Sequence, residues 1–182
     1  MQSELKLITP LSHGLPKTGQ TIAYSSYDDG FYEDGWFFNK DNAGNRVRFI
    51  EKEIVSGEHI IMDLATRLMW PKSGLSVACN NGAKLNWDGS LIYILSLVYS
   101  GFNNWRLPNM QELLSICNWS ISNPTIWSAF TNVQTDNYSG YWTGTTYKFN
   151  TNNAWIIRFN GGYGYGLSKS TTTYIRPVRR FA

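Results

Sequence analysis

Residues 87–116, WDGSLIYILSLVYSGFNNWRLPNMQELLSI, divide the chain into two regions of different pattern. Between Trp87 and Ser100, the residues Leu91, Ile94, Leu95 and Val98 recur at three- and four-residue spacing, which predicts a helix with one apolar face. Gly101 follows where a helix commonly ends. A second helix is expected after Pro108. There Asn109 can cap the first turn, and Glu112 three residues on completes a capping-box pattern ahead of Leu113, Leu114 and Ile116.

Short strands are expected on both sides of this stretch. Toward the N-terminus, Gly14, Pro16, Gly19, Gly30, Gly35 and Gly44 punctuate short apolar runs. Residues 46–55 alternate in part, and 59–62 and 68–70 read as two strands joined by a turn at 63–67. Beyond Pro124, residues 140–146, 154–160, 162–168 and 174–179 are each bounded by Gly, Asn or Ser-Thr clusters. Strands, two helices and strands again predict an α+β domain with helices against antiparallel sheet. At 182 residues the chain suits a single domain spanning 1–182, with 1–14 as an N-terminal extension.

Composition narrows the function classes. Hydrophobic residues are 42% and charged ones 16%, enough apolar surface for a real core. The 8 Trp and 11 Tyr exceed what one small core requires, so some rings are expected at the surface, where they supply contact area at low entropic cost. A net charge of +3 is too weak to indicate nucleic acid. Charge is uneven, with Asp28, Asp29, Glu33 and Asp34 early and Arg158, Lys169, Arg176, Arg179 and Arg180 late. Cys79 and Cys117 are too few for a disulfide framework or a zinc set. Two buried free thiols are the expectation, and a single bridge between them stays open. No run approaches the roughly 18 apolar residues of a membrane span. Residues 1–10 lack a basic flank followed by an apolar run, so export is expected by another route or with a leader outside this stretch.

Three motifs point elsewhere than their spelling. Leu15–Gly19 spells a sortase signal, but a domain follows it instead of an apolar tail, and a turn is expected. The Gly161–Gly166 alternation of Gly and Tyr fits neither phosphate-loop spacing and suits a sheet edge or a flat binding face. Asp28, Asp29, Glu33 and Asp34 offer oxygen ligands suited to calcium, yet lack the EF-hand order; an acidic turn is expected, with no metal and no cofactor. His13 and His59, the only histidines, stand in no recognisable Ser/His or Cys/His arrangement, and no nucleophile elbow is present, so no enzyme is expected.

An ordered series of short matches carries a family resemblance. It comprises Leu15–Gln20, Asp28–Gly30, Asp63–Trp70, Trp87-Asp88, Asn104–Asn109, Glu112-Leu113, Gly140–Thr146, Asn153–Trp155 and Tyr174–Arg179. In these the chain resembles the C-terminal domain family of Legionella collagen-like proteins. The resemblance implies a C-type-lectin-like fold related to formylglycine-generating enzyme, and roles in adhesion or recognition, including of sulfated polysaccharides. The enzyme branch needs two neighbouring cysteines in the C-terminal part, and none follows Cys117. The chain is also similar to proteins diversified by retroelements, whose C-terminal variable segment is rewritten at adenines, chiefly in Asn-type codons. Here the comparable places hold Tyr163, Tyr165, Gly166, Leu167, Ser168, Thr171, Thr172 and Thr173, all reachable from an Asn codon, between framework residues Trp155, Phe159, Arg176 and Pro177. Relatives that display ligands often form trimers, so a homo-oligomer is compatible with the resemblance.

These observations assign Trp70, Trp105, Trp142, Trp155 and Phe159 to core packing, with Arg106 and Arg176 satisfying buried backbone. Ligand binding is assigned to Tyr163, Tyr165, Gly166, Leu167, Ser168, Thr171, Thr172 and Thr173, with Tyr147, Phe149 and Asn150 as a second loop. A Tyr/Ser/Thr/Gly mixture on a rigid sheet has the composition of an antibody paratope. The expected function is non-enzymatic ligand binding and display by a viral or microbial protein, outside the cell or on a virion, with a protein or glycan receptor as partner. The alternative is a constant adhesin that binds sulfated polysaccharide through Arg158, Lys169, Arg179 and Arg180.

Overall fold

The computed structural model describes residues 15–33, 35, 39–40, 46–137 and 140–181. Its elements in chain order are helix α1 (Asp29–Tyr32), strands β1 (Asn39–Lys40), β2 (Arg46–Val47), β3 (Phe49–Val55), β4 (Glu58–Asp63) and β5 (Leu68–Pro71), then helices α2 (Trp87–Leu95) and α3 (Met110–Leu114). Strands β6 (Tyr141–Thr146), β7 (Asn153–Arg158), β8 (Tyr163–Ser168) and β9 (Arg179–Arg180) follow. The ladders are antiparallel, in a pair β1-β2 and sheets ordered β3-β4-β5-β9 and β6-β7-β8. This α+β arrangement of short helices and small antiparallel sheets is compatible with a C-type-lectin-like fold.

Alternation along the strands explains where the core sits. Successive strand residues point to opposite faces, and both β6 and β7 send apolar residues both ways. Trp142 and Ile156 join one buried cluster with Ile60, Met69, Trp105 and Ile175. Tyr141 and Ile157 join a second with Ile61, Trp70, Leu113, Phe159 and Val178. The β6-β7-β8 sheet therefore stands between two cores, and its central strand is fixed from both sides. Buried polar groups complete the frame. Arg48 donates through Nε and Nη2 to Asp63 at 2.9 and 2.7 Å, and the Nη1 of Arg176 donates to the carbonyls of Pro71 (2.8 Å) and Lys72 (3.2 Å). The indole nitrogens of Trp142 and Trp87 each donate to a carbonyl at 2.9 Å, on Leu85 and Thr143.

The capping box forms as expected: Asn109 accepts from the Glu112 amide, and Glu112 accepts from the Asn109 amide, each at 2.8 Å. Strands expected at 46–55, 59–62, 68–70 and 140–168 are present with small shifts of boundary. Three expectations need correction. First, α2 ends at Leu95 rather than Ser100, and Leu91, Leu95 and Val98 are exposed, Leu95 by 85%. Beyond Leu95 the chain leaves the helix and buries Leu97 and Tyr99 instead, so the core meets Ile94 alone of the four. Second, residues 174–179 form no continuous strand; Tyr174 and Val178 make single bridges to Tyr141 and Arg106, and only Arg179–Arg180 pairs in a sheet. Third, Arg106 is exposed and bound bidentately to Glu112, with one bond to the Leu107 carbonyl, rather than buried on backbone.

Asp28 accepts from the amides of Tyr24, Ser25 and Phe31 and caps α1, and Asp29 accepts from the Thr18 hydroxyl, the expected acidic turn. Among the described residues no group of three or more His, Cys, Asp or Glu is placed to hold a metal. Asp34 and the extension 1–14 lie outside the described residues. Cys79 and Cys117 are free and buried, and burial pushes the Cys117 thiol up to about 12.

Candidate ligand-binding surface

The register of β7 with β8 decides which site residues share a face. Arg158 lies opposite Tyr163, Ile156 opposite Tyr165 and Ala154 opposite Leu167. Because paired residues project to the same side, these six form one face. Its middle is interior: Ala154 and Ile156 are buried, and Tyr165 and Leu167 pack against the first core. At the Tyr163 end the face opens. Tyr163 is 46% exposed, its ring 6.4 Å from that of Tyr165, and the Arg158 guanidinium stands 5.5 and 5.9 Å from the two centroids. A cation so placed against two phenol rings is attracted by their faces and holds them in one orientation.

Residues from distant segments extend this end. Arg158 donates through Nη2 to the Asp136 carbonyl at 3.3 Å, and Tyr174 donates its hydroxyl to the Asp136 carboxylate at 2.8 Å. The Lys84 ammonium lies 3.2 Å from the same carboxylate and 4.9 Å from the Tyr174 ring. Desolvation works against the charged form of Lys84, yet the Asp136 carboxylate outweighs it and holds the ammonium above its ordinary value. For Tyr174, desolvation and then the hydrogen bond to Asp136 push the phenol up. Lys84, Asp136 and Tyr174 were not assigned from the sequence; no local pattern in 84–88 or 131–137 marks them, since only the fold brings them to Arg158.

The opposite face pairs Ile157 with Gly164, Trp155 with Gly166 and Asn153 with Ser168. Tyr147 covers Gly166 on this side: a Cβ at 166 would stand 2.8 Å from the ring carbon that joins the Tyr147 side chain. Tyr147 in turn meets Trp155 edge-on at 4.9 Å and Phe149 at 5.6 Å, the latter 88% exposed. Trp155 is thus half-buried in this outer aromatic group rather than in the core. Asn150 shapes the β6–β7 turn, its Oδ1 accepting from the Asn152 amide at 3.1 Å.

The expected binding residues consequently fall into separate groups. Tyr163 and Tyr165 stand together with Arg158. Tyr147, Phe149 and Gly166 lie on the other face of the sheet. Ser168, Thr171 and Thr172 lie at or beyond the far end of β8, roughly 17 Å from Tyr163 at the usual strand rise; of these, Thr171 and Thr172 are exposed. One member lies in the interior and a second is only partly accessible. Thr173 is 0% exposed; its hydroxyl donates to the Gly140 carbonyl and accepts from the Gly140 amide, and its backbone is bridged to Leu85. Leu167 leans on the core because alternation directs it to the interior face.

The four cations of the alternative reading have different neighbours. Arg158 faces Tyr163 and Asp136, Lys169 stands 4.1 Å over Trp87, Arg179 lies 3.8 Å over Phe102 and bonds to Asn104, and Arg180 shares a depression with Glu112. Among the described residues no helix is long and apolar enough to cross a membrane. The family model described as the Lcl C-terminal domain matches residues 59–179, which contain α2, α3 and the whole β6-β7-β8 sheet. No curated protein matches the chain.

Proposed function

Because the chain belongs to the Lcl C-terminal domain family, a family of adhesin-like ligand-binding domains, we propose that it is a non-enzymatic display protein that recognises a receptor on another cell or surface through the Tyr163 end of β8. The protein acts outside the cell or on a virion, and the receptor is a protein or a glycan. The observation that carries this reading is the Tyr163–Arg158–Tyr165 group: two phenols and a guanidinium at the open end of a strand whose neighbour β7 is buried on both faces. Tyrosine gives broad contact with few rotatable bonds, and arginine adds directed hydrogen bonds, so little order has to be acquired on binding.

Diversification by a retroelement fits a subset of the C-terminal positions. Exchange at Tyr163, Ser168, Thr171 and Thr172 leaves the frame intact, whereas Thr173, Leu167 and Gly166 each hold a packed neighbour. The test is a combined glycan and protein array probed with the wild-type chain and with Tyr163→Ala/Tyr165→Ala. A defined set of ligands bound by the first and lost by the second is expected. Identical array profiles for the two would refute recognition at this end.

A further inference from the structure

Residues 18–33 fold with a carboxylate at their centre and their rings outside. Asp28 is the hub. Its Oδ2 accepts from the Tyr24 and Ser25 amides at 2.8 and 3.2 Å and from Gln20 Nε2 at 3.1 Å, and its Oδ1 accepts from the Phe31 amide at 3.1 Å. Gly30 is buried against the Ile22 carbonyl, where a side chain has no room, and Asp29 accepts from the Thr18 hydroxyl. The loop is also seated on the body of the domain. The Trp119 amide donates to the Thr18 carbonyl at 2.9 Å, and Gly19 lies against Asn118 and Trp127. With this interior filled, Tyr24, Tyr27, Phe31 and Tyr32 are turned outward and are between 55 and 78% exposed. Three of the rings form one group: Phe31 meets Tyr27 edge-on at 5.4 Å and Tyr32 at 5.1 Å, and Tyr27 and Tyr32 lie 6.3 Å apart. Tyr27 takes its place at φ 69°, a left-handed conformation uncommon for a bulky side chain.

Aromatic side chains of about 150–250 Å² each, exposed to that extent, present roughly 400–650 Å² of surface from four residues. A standard protein interface takes about 800 Å² from each partner, a little over half of it apolar, or roughly 450 Å². The loop supplies that apolar share by itself, and from residue types in which interfaces are enriched. Charge selects the occupant. Between residues 15 and 33 the carboxylates of Asp28, Asp29 and Glu33 stand against Lys17 alone, a net charge of −2 (one minus three). Asp28 and Asp29 are bonded to neutral donors, which leave their charge in place; the Tyr24 amide, foremost among those on Asp28, holds its carboxyl below the ordinary range. Two copies meeting ring to ring would set these carboxylates against each other, whereas a cation over a phenol face is attracted by ring and carboxylate together. A guanidinium stacks on aromatic planes and pairs with carboxylates through a fork of donors that an ammonium lacks. We propose that the loop from Tyr24 to Tyr32 is a docking surface for an arginine-bearing segment of another protein. The loop precedes residues 59–179, which carry the family match, and the proposal does not rest on the receptor reading at Tyr163.

The test is the fluorescence anisotropy of labelled synthetic peptides that alternate Arg with Leu, Lys with Leu, or Glu with Leu, titrated with the chain. The Arg-Leu peptide should bind best, the Lys-Leu peptide less well and the Glu-Leu peptide not at all, with binding weakened by added salt. Tyr27→Ala and Phe31→Ala should each weaken the Arg-Leu peptide roughly fivefold or more, as for loss of an interface anchor. Tyr27→Phe, which keeps the ring, and Tyr163→Ala, at the receptor end, should bind as the wild type does. Circular dichroism spectra that superpose on the wild type establish that the variants fold. The proposal is overturned if the Arg-Leu peptide does not bind, if the Glu-Leu peptide binds as well, or if both alanine variants bind like the wild type. It is equally overturned if the rings serve another contact. That result would be a dimer of the chain alone that Tyr27→Ala dissociates in sedimentation, or binding to phosphatidylcholine vesicles that Tyr27→Ala abolishes.

Discussion

Gly166→Ala is the most informative single substitution for the frame. The new methyl group would stand 2.8, 2.9 and 3.1 Å from three carbons of the Tyr147 ring, all closer than ordinary van der Waals contact. The near atoms are the ring carbons closest to the backbone, so a small swing of the hydroxyl end gives no relief, and the whole ring must lift from β8. Lifting it breaks the edge-on contact with Trp155 at 4.9 Å, which contributes about 0.5–1.5 kcal/mol. Together with the strain of overpacking, the loss should be about 1–3 kcal/mol. For a chain of this length that is a fall in Tm of roughly 2–12 °C, measured by scanning calorimetry. The same substitution in a Tyr147→Ala background should cost far less, because the ring that obstructs the methyl group is gone; a double-mutant cycle isolates this coupling. An unchanged Tm in Gly166→Ala, or an equal loss in both backgrounds, would refute the reasoning.

Three further expectations concern the frame. Thr173→Val removes the hydroxyl that both donates to and accepts from Gly140 inside the protein, and should cost about 1–3 kcal/mol in urea unfolding; a loss near zero would contradict the buried clamp. Arg48→Met leaves the Asp63 carboxylate fully buried without its partner and should cost about 3–5 kcal/mol by the same measurement. Burial opposes ionisation of Glu112, but the hydrogen bonds from Arg106 and the Asn109 amide prevail and hold its carboxyl below the ordinary value of 4.5. A depressed folded-state pKa contributes stability that is complete above the ordinary value and is lost as pH falls through the depressed one. Wild-type stability should therefore decline below about pH 4.5, and Arg106→Ala should flatten that decline in a pH series of melting curves.

How much of this was legible in the residues depends on how local the determining interaction is. The α3 cap could be read because Asn109 and Glu112 satisfy each other within four residues. The strands at 140–168 could be read because Gly and Asn mark their ends, and those around 59–70 because the turn at 63–67 separates two short apolar runs. The α2 face could not: the spacing of Leu91, Ile94, Leu95 and Val98 describes a helix stripe, but the backbone leaves the helix after Leu95 and presents Leu97 and Tyr99 to the core. Periodicity gives no information about where the neighbouring strands end. Residues 174–179 misled for a related reason, since a β-rich segment can bridge singly to several partners without entering a sheet.

The site divides in the same way. Tyr163 and Tyr165 share a face by strand alternation alone, visible at a spacing of two. Their pairing with Arg158 needs the hairpin register, and the approach of Lys84, Asp136 and Tyr174 needs the whole fold. Thr173 was indistinguishable in sequence from Thr171 and Thr172. Only the position of Gly140 beside it makes one of the three interior.

The central claim is that a fixed frame presents an exchangeable surface, and a small library tests it most directly. Variants with Asn, Ser, Asp or Tyr in combination at Tyr163, Ser168, Thr171 and Thr172 should keep the wild-type Tm within a few degrees, because substitutions at such positions change stability by about 0.5 kcal/mol or less. Their ligand profiles on one array should differ from member to member. Uniform profiles across the library, or melting temperatures that fall with each exchange, would contradict the account.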